Sequence, residues 1–163
     1  MELLNIKISR YKDLISAVKL FENENILITL LNPVDYVLDG LCFINKKYVK
    51  HIDHEKDDEL KSKIFTHKIR SFNINSHYKS FETIKDITTY FLENSSKLIE
   101  LGLESSDYSI IGNIQKNNEK FFIVNMLSVK GKYLNEEKVE YDKVRLLTID
   151  SDYLSSLEYY LKA

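Results

Sequence analysis

Collinear self-similarity limits what this chain can become more than any single residue does. Lys12-Asp13-Leu14-Ile15 is answered by Lys85-Asp86-Ile87-Thr88, and Leu20-Phe21-Glu22-Asn23 by Phe91-Leu92-Glu93-Asn94. Asp35-Tyr36, just before Leu38-Asp39-Gly40, is answered by Asp107-Tyr108 before Ile110-Ile111-Gly112. Asn45-Lys46-Lys47-Tyr48-Val49 meets Asn117-Asn118-Glu119-Lys120-Phe121-Phe122, and Ile69-Arg70 with its Asn75-Ser76-His77-Tyr78 exit meets Val144-Arg145 with Asp150-Ser151-Asp152-Tyr153. The offset drifts only between about 71 and 75 residues, as small loop insertions would produce. Two tandem units follow, residues 1–78 and 79–163.

Periodicity assigns elements within each unit. Tyr11, Leu14, Ile15, Val18 and Phe21 recur at three- and four-residue steps, which predicts a helix from about Ser9 or Arg10 to Asn23. Ile26 to Leu31 is short and β-branched, hence a strand, and Asn32-Pro33 is a turn because proline lacks a donor and fixes φ. A strand from about Tyr36 to Ile44 contains Gly40, and Gly112 repeats that glycine, so both are expected to mark a bend. Tyr48 to Ile52 is a further strand. The acidic stretch from Asp53 to Glu59, including Asp57, reads as a loop before Leu60 to Thr66, and Ile69 to Ile74 closes the first unit. Thr83-Ile84-Lys85-Asp86 has capping-box spacing for a middle helix with Ile84, Ile87 and Phe91 on its apolar stripe. Leu154, Leu157 and Leu161 do the same for a last helix, and Asn75 and Asp150 are candidate caps. The fold class is mainly β with helices (α+β), each unit a helix leading into five short, bent antiparallel strands.

That order resembles the Sm-like small barrels. The resemblance covers nearly the whole chain twice and is carried by the glycines Gly40 and Gly112 and the strand exits Ile69-Arg70 and Val144-Arg145. The pieces that follow, Ile74-Asn75-Ser76-His77-Tyr78 and Ile149-Asp150-Ser151-Asp152-Tyr153, also look like parts of uncharacterised small proteins of Gram-positive bacteria. Such barrels imply RNA binding and assembly of copies through strand edges. In the nucleotide-binding pattern, however, glycine follows the arginine; Ser71 and Leu146 stand there, so RNA contacts do not carry over residue by residue.

Composition narrows the function classes. A net charge of -2 removes the accumulated Lys and Arg on which nucleic-acid affinity rests, so DNA is not expected and RNA stays a second reading. No membrane-length apolar run and no secretory leader pattern is present, and Cys42 is alone, so the expected location is the cytoplasm. His51, Asp53, His54 and His67 offer metal-ligand atoms, but His51 and His54 would point to opposite faces of a strand. The acidic stretch lacks the glycine and spacing of a calcium loop, and no Gly-rich phosphate loop or nucleophile motif occurs. No catalytic, cofactor or metal residue is assigned. Arg70 and Arg145, rare and matched, and Tyr36 and Tyr108, also matched, are the candidate ligand or RNA contacts. The leading expectation is a non-catalytic binding module for a protein partner, using exposed strand edges or the groove between units. An antagonist such as a toxin immunity protein is a third reading, and homo-oligomers through strand edges are a further expectation.

Overall fold

The computed structural model describes residues 1–56 and 58–163; Asp57, in the acidic stretch, lies outside the described residues. Among the described residues ten strands form one antiparallel sheet: β1 (Leu3–Ile8), β2 (Ile15–Glu22), β3 (Ile26–Leu31), β4 (Leu41–Asn45), β5 (Val49–His54), β6 (Ile99–Gly102), β7 (Ile110–Asn117), β8 (Phe121–Leu127), β9 (Tyr133–Glu140) and β10 (Leu146–Ile149). The helices are α1 (Glu59–Ile69), α2 (Ile84–Asn94) and α3 (Asp152–Lys162). The spatial order is β5-β1-β2-β3-β4-β10-β6-β7-β8-β9.

The first five and the last five strands therefore run in the same order, the fifth returning beside the first. Their registers coincide under a shift of 95 residues. Ala17 faces Leu31 as Gly112 faces Met126, and Ile28 faces Phe43 as Ile123 faces Lys138. The bulge between Lys19 and Phe21 recurs between Ile114 and Lys116. Asn23 and Asn118 each accept hydrogen bonds from the amides two and three residues on, which shapes the same tight turn. A 3-10 turn precedes the fifth strand in both runs, at Lys46–Tyr48 and Tyr141–Lys143.

The two runs of strands thus match in order and register, at an offset of 95 and not at the about 71 to 75 that the sequence suggests. Gly40 lies before β4 at φ 93, whereas Gly112 sits inside β7, where a side chain would run into the Asn125 carbonyl; the two are not equivalent. Arg70 ends α1 and Arg145 precedes β10, so they do not correspond either, and neither do Tyr36 in the β3–β4 loop and Tyr108 in the β6–β7 loop.

Three element expectations are corrected. Residues 15–22 are a strand and no helix leads the first run, whose first element is β1. Ala17 and Val18 are both buried because β2 is covered on both faces and bulged, which gives an apolar spacing that mimics helical steps. Residues 34–40 are irregular, so the strand expected from Tyr36 begins only at Leu41. Residues 70–74 form no strand; the fifth strand of the first run is β5, and α1 follows it, started by the Asp58 carboxylate accepting from Lys61 N–H. The α2 capping box between Thr83 and Asp86 is present. Asn75 caps a 3-10 turn, but α3 is capped by Ser151, while Asp150, at φ 58, pairs with Lys97.

One apolar cluster spans both runs. Leu41 and Phe43 of β4 join Leu147 and Ile149 of β10, Ile99 and Leu101 of β6 and Phe122 and Val124 of β8, under Phe65 of α1 and Ile87 and Phe91 of α2. Phe43 packs edge-on against Tyr78, Phe81 and Phe91. A second cluster, with Leu4, Ile6, Ala17, Leu27, Cys42 and Ile44, fills the opposite face of the first run. A third seats α3 through Leu154 on Leu98 and Leu127.

Equivalent positions carry unequal energies. Phe43→Ala should lower unfolding free energy by about 3–5 kcal/mol, because it opens a cavity in the shared cluster. Lys138→Ala, at the matching place on β9, should cost below about 1 kcal/mol, since Lys138 is exposed and its ammonium lies 4.2 Å above the Phe121 ring centroid. Urea denaturation of both variants checks the contrast.

Candidate functional site

The β4–β10 pairing brings the β1–β2 loop (residues 9–14) of the first run beside the structurally matching β6–β7 loop (103–109) of the second. Arg10, at φ 68, turns the chain tightly after β1, and Tyr11 then crosses to the second run. Its hydroxyl donates to the Leu103 carbonyl at 2.9 Å. Gly102 makes this crossing possible, since a Cβ there would occupy the space of Tyr11 Oη. Lys12 Nζ binds Asp107 at 2.8 Å, and Arg10 lies 3.8 Å from Glu104.

Between these loops, above β10, runs a groove of about 490 Å³. Leu31 and Leu146 supply its apolar lining, Thr148 and Glu100 its polar lining, and Leu14 and Tyr108, 55% and 59% exposed, are among its open residues. Glu100 accepts a hydrogen bond from Ser109 Oγ at 3.0 Å and has no cation within 4 Å among the described residues. Below it the sheet carries small polar groups: Thr29 Oγ1 donates to the Cys42 carbonyl at 3.1 Å, and Cys42 faces Thr148 across the ladder. Burial pushes the Cys42 thiol up to about 12, so it behaves as a buried hydrophobe with no thiolate at neutral pH.

The four residues expected to meet a ligand are scattered. Tyr108 lines the groove. Tyr36 is exposed in the β3–β4 loop, where its carbonyl accepts from Lys68 Nζ. Arg70 is exposed at the α1 terminus. Arg145 is only 5% exposed: its guanidinium stacks on the Tyr48 ring at 4.1 Å and its Nε donates to the Ser9 carbonyl at 3.1 Å. It fastens the two runs together. His51 pairs with Asp53 at 2.7 Å and His54 with Glu2 at 3.3 Å, and no group of three or more metal-ligating side chains forms among the described residues. Asp13, Leu14 and Glu100 line the groove but are not among the contact residues that the sequence points to. The available signal was Glu100, a carboxylate in the middle of an otherwise apolar strand.

A smaller cavity of about 360 Å³ lies beside α3, where Lys97, Asn113, Tyr133 and Glu158 converge. Glu158 Oε1 is buried without a hydrogen-bond partner among the described residues, and burial raises this carboxyl above its ordinary value of 4.5.

Comparison with protein-family models, with curated proteins and with solved structures returned no match for this chain.

Two outcomes test this geometry. Gly102→Ala should cost about 1–3 kcal/mol by forcing Tyr11 aside. In a Tyr11→Phe background, where the hydroxyl is gone, the same change should cost clearly less; a denaturation double-mutant cycle reads the coupling. For Glu158, the raised folded-state value means the native state holds the proton more tightly. Its stabilising share is complete below the unfolded value and is lost as pH rises through the folded one. Glu158→Gln should therefore melt higher than the parent at pH 7, with the gap closing toward roughly pH 4.

Proposed function

We propose that the chain is a non-catalytic binding module of the cytoplasm, built as two Sm-like small barrels in tandem, that grips a protein partner in the groove between them. The strand order, with the fifth strand beside the first in both runs, and the 3-10 turn before that strand support the barrel reading. The single observation that favours the groove is its construction. Two matching loops from opposite halves are held by Tyr11, by the Lys12–Asp107 pair and by a shared ladder, so the walls are preorganised and little ordering entropy opposes binding.

The strand edges are the poorer surface. At the internal junction β4 presents Leu41-Cys42-Phe43-Ile44 and β10 presents Leu146-Leu147-Thr148-Ile149. The matching stretch of the outer edge β9 is Glu136-Glu137-Lys138-Val139, and that of β5 is His51-Ile52-Asp53-His54. If two copies repeated the internal register, Asp53 would face Glu137 and Ile52 would face Lys138. Charges placed this way are how edge strands are kept from pairing. RNA finds less support in this geometry, since Arg145 is buried in contacts within the chain and three carboxylates line the groove against one lysine.

Affinity capture from the native cell, with and without nuclease, tests the reading. A partner retained after nuclease, lost with Leu14→Glu or Tyr108→Glu and kept with Lys138→Glu on the outer edge, is the expected result. Capture that vanishes with nuclease, or that ignores the groove variants, overturns it. Light scattering should give the 19.2 kDa monomer.

A further inference from the structure

We propose that the groove takes an extended, positively charged peptide segment bearing apolar side chains; this rests on the groove being the binding surface. Charge carries the argument. Of the four charged side chains that line it, Lys12 is already neutralised by Asp107 at 2.8 Å. Asp13 has neither an ion-pair nor a hydrogen-bond partner among the described residues, and Glu100 has only the Ser109 hydroxyl. Two uncompensated carboxylates thus stand over one groove, Asp13 exposed near its mouth and Glu100 half-buried on the sheet.

The placement of Glu100 sharpens this. Its structural match in the first run is Asn5, a neutral residue whose amide oxygen accepts from Ser16 Oγ at 2.7 Å. Where the first run uses an uncharged side chain satisfied inside the chain, the second sets an anion on the sheet with no cation to meet it. A half-buried carboxylate is costly to leave unpaired and gains most from a cation that arrives with a partner.

Apolar groups flank both carboxylates. Leu14, Ile15 and Leu31 line the groove together with Leu146 and Tyr108, so a lysine or arginine would find its charge met at Asp13 or Glu100 and a neighbouring leucine or valine would find contact beside it. An ordinary ligand pocket is about 300–1,000 Å³, and this groove is within that range. A phosphate-bearing ligand would meet repulsion at the same carboxylates.

The probe is an amidated, fluorophore-labelled peptide of six alternating lysines and leucines. Its controls are a glutamate–leucine peptide and a lysine–serine peptide, all read by fluorescence anisotropy at low and moderate salt. The lysine–leucine peptide should bind, both controls should bind more weakly, and Asp13→Asn with Glu100→Gln should weaken binding about tenfold or more. Glu137→Gln, which removes a carboxylate from the outer edge, should leave affinity unchanged.

Equal binding of the glutamate–leucine peptide, or an equal loss with Glu137→Gln, overturns the proposal. Failure of the lysine–leucine peptide to bind, while cellular capture still depends on Leu14 and Tyr108, overturns the ligand class and leaves the groove reading intact. Capture indifferent to Leu14 and Tyr108 removes the groove itself.

Discussion

The pairing of β4 with β10 is the constraint from which the rest follows. It joins two five-stranded runs into one hydrogen-bonded ladder, so that each strand at the junction has a neighbour on both sides and neither leaves backbone groups open. Because Leu41, Phe43, Leu147 and Ile149 share one face there, the two runs also share an apolar cluster, and α1 and α2 can cover it as a single surface. On the other face, the same pairing fixes the spacing between the β1–β2 and β6–β7 loops. The groove is a by-product of the ladder's register. Removing Phe43 from that cluster therefore acts on both runs at once, while a change at the exposed Lys138 stays local to β9 and Phe121.

Much of this plan was legible in the sequence, and the misreadings have identifiable causes. Ile26 to Leu31 was read at its true bounds because it is short, β-branched and followed by Asn32-Pro33. The middle helix was read from its capping box. Burial on both faces and a bulge erase from β2 the two-residue alternation that identifies a half-buried strand, so its spacing reads as a helix. The same helix-like spacing shifts the apparent repeat. Aligning residues 12–23 with α2 forced a period near 73, whereas the ladders match at 95, with a helix after each fifth strand. The ladders repeat one register at positions whose side chains differ, as Phe43 and Lys138 do.

The site was harder to read for a different reason. Tyr108 was named, but its partners Asp13, Leu14 and Glu100 have no mutual spacing to find, being brought together only when residues about ninety positions apart meet across the junction. Arg145 stood out because arginine is rare in this chain. Its environment, stacked on Tyr48 and bound to the Ser9 carbonyl, is that of a fastener, and rarity alone does not separate a fastener from a ligand contact. Arg70 and Tyr36 lie on loop and helix-end surfaces away from the groove lining.

The ion pairs across the junction carry a last implication. Lys12 meets Asp107, and Lys47 meets Asp142 at 2.5 Å; in each case the two partners occupy the same place in their respective runs. Were the runs identical in sequence, lysine would confront lysine, or aspartate aspartate, at both places, and the junction would repel itself. Two runs with one strand order can sit side by side in this way because opposite charges stand at their matching places. The junction is thus held by differences between the two runs at structurally matching places, each setting a cation of the first run against an anion of the second.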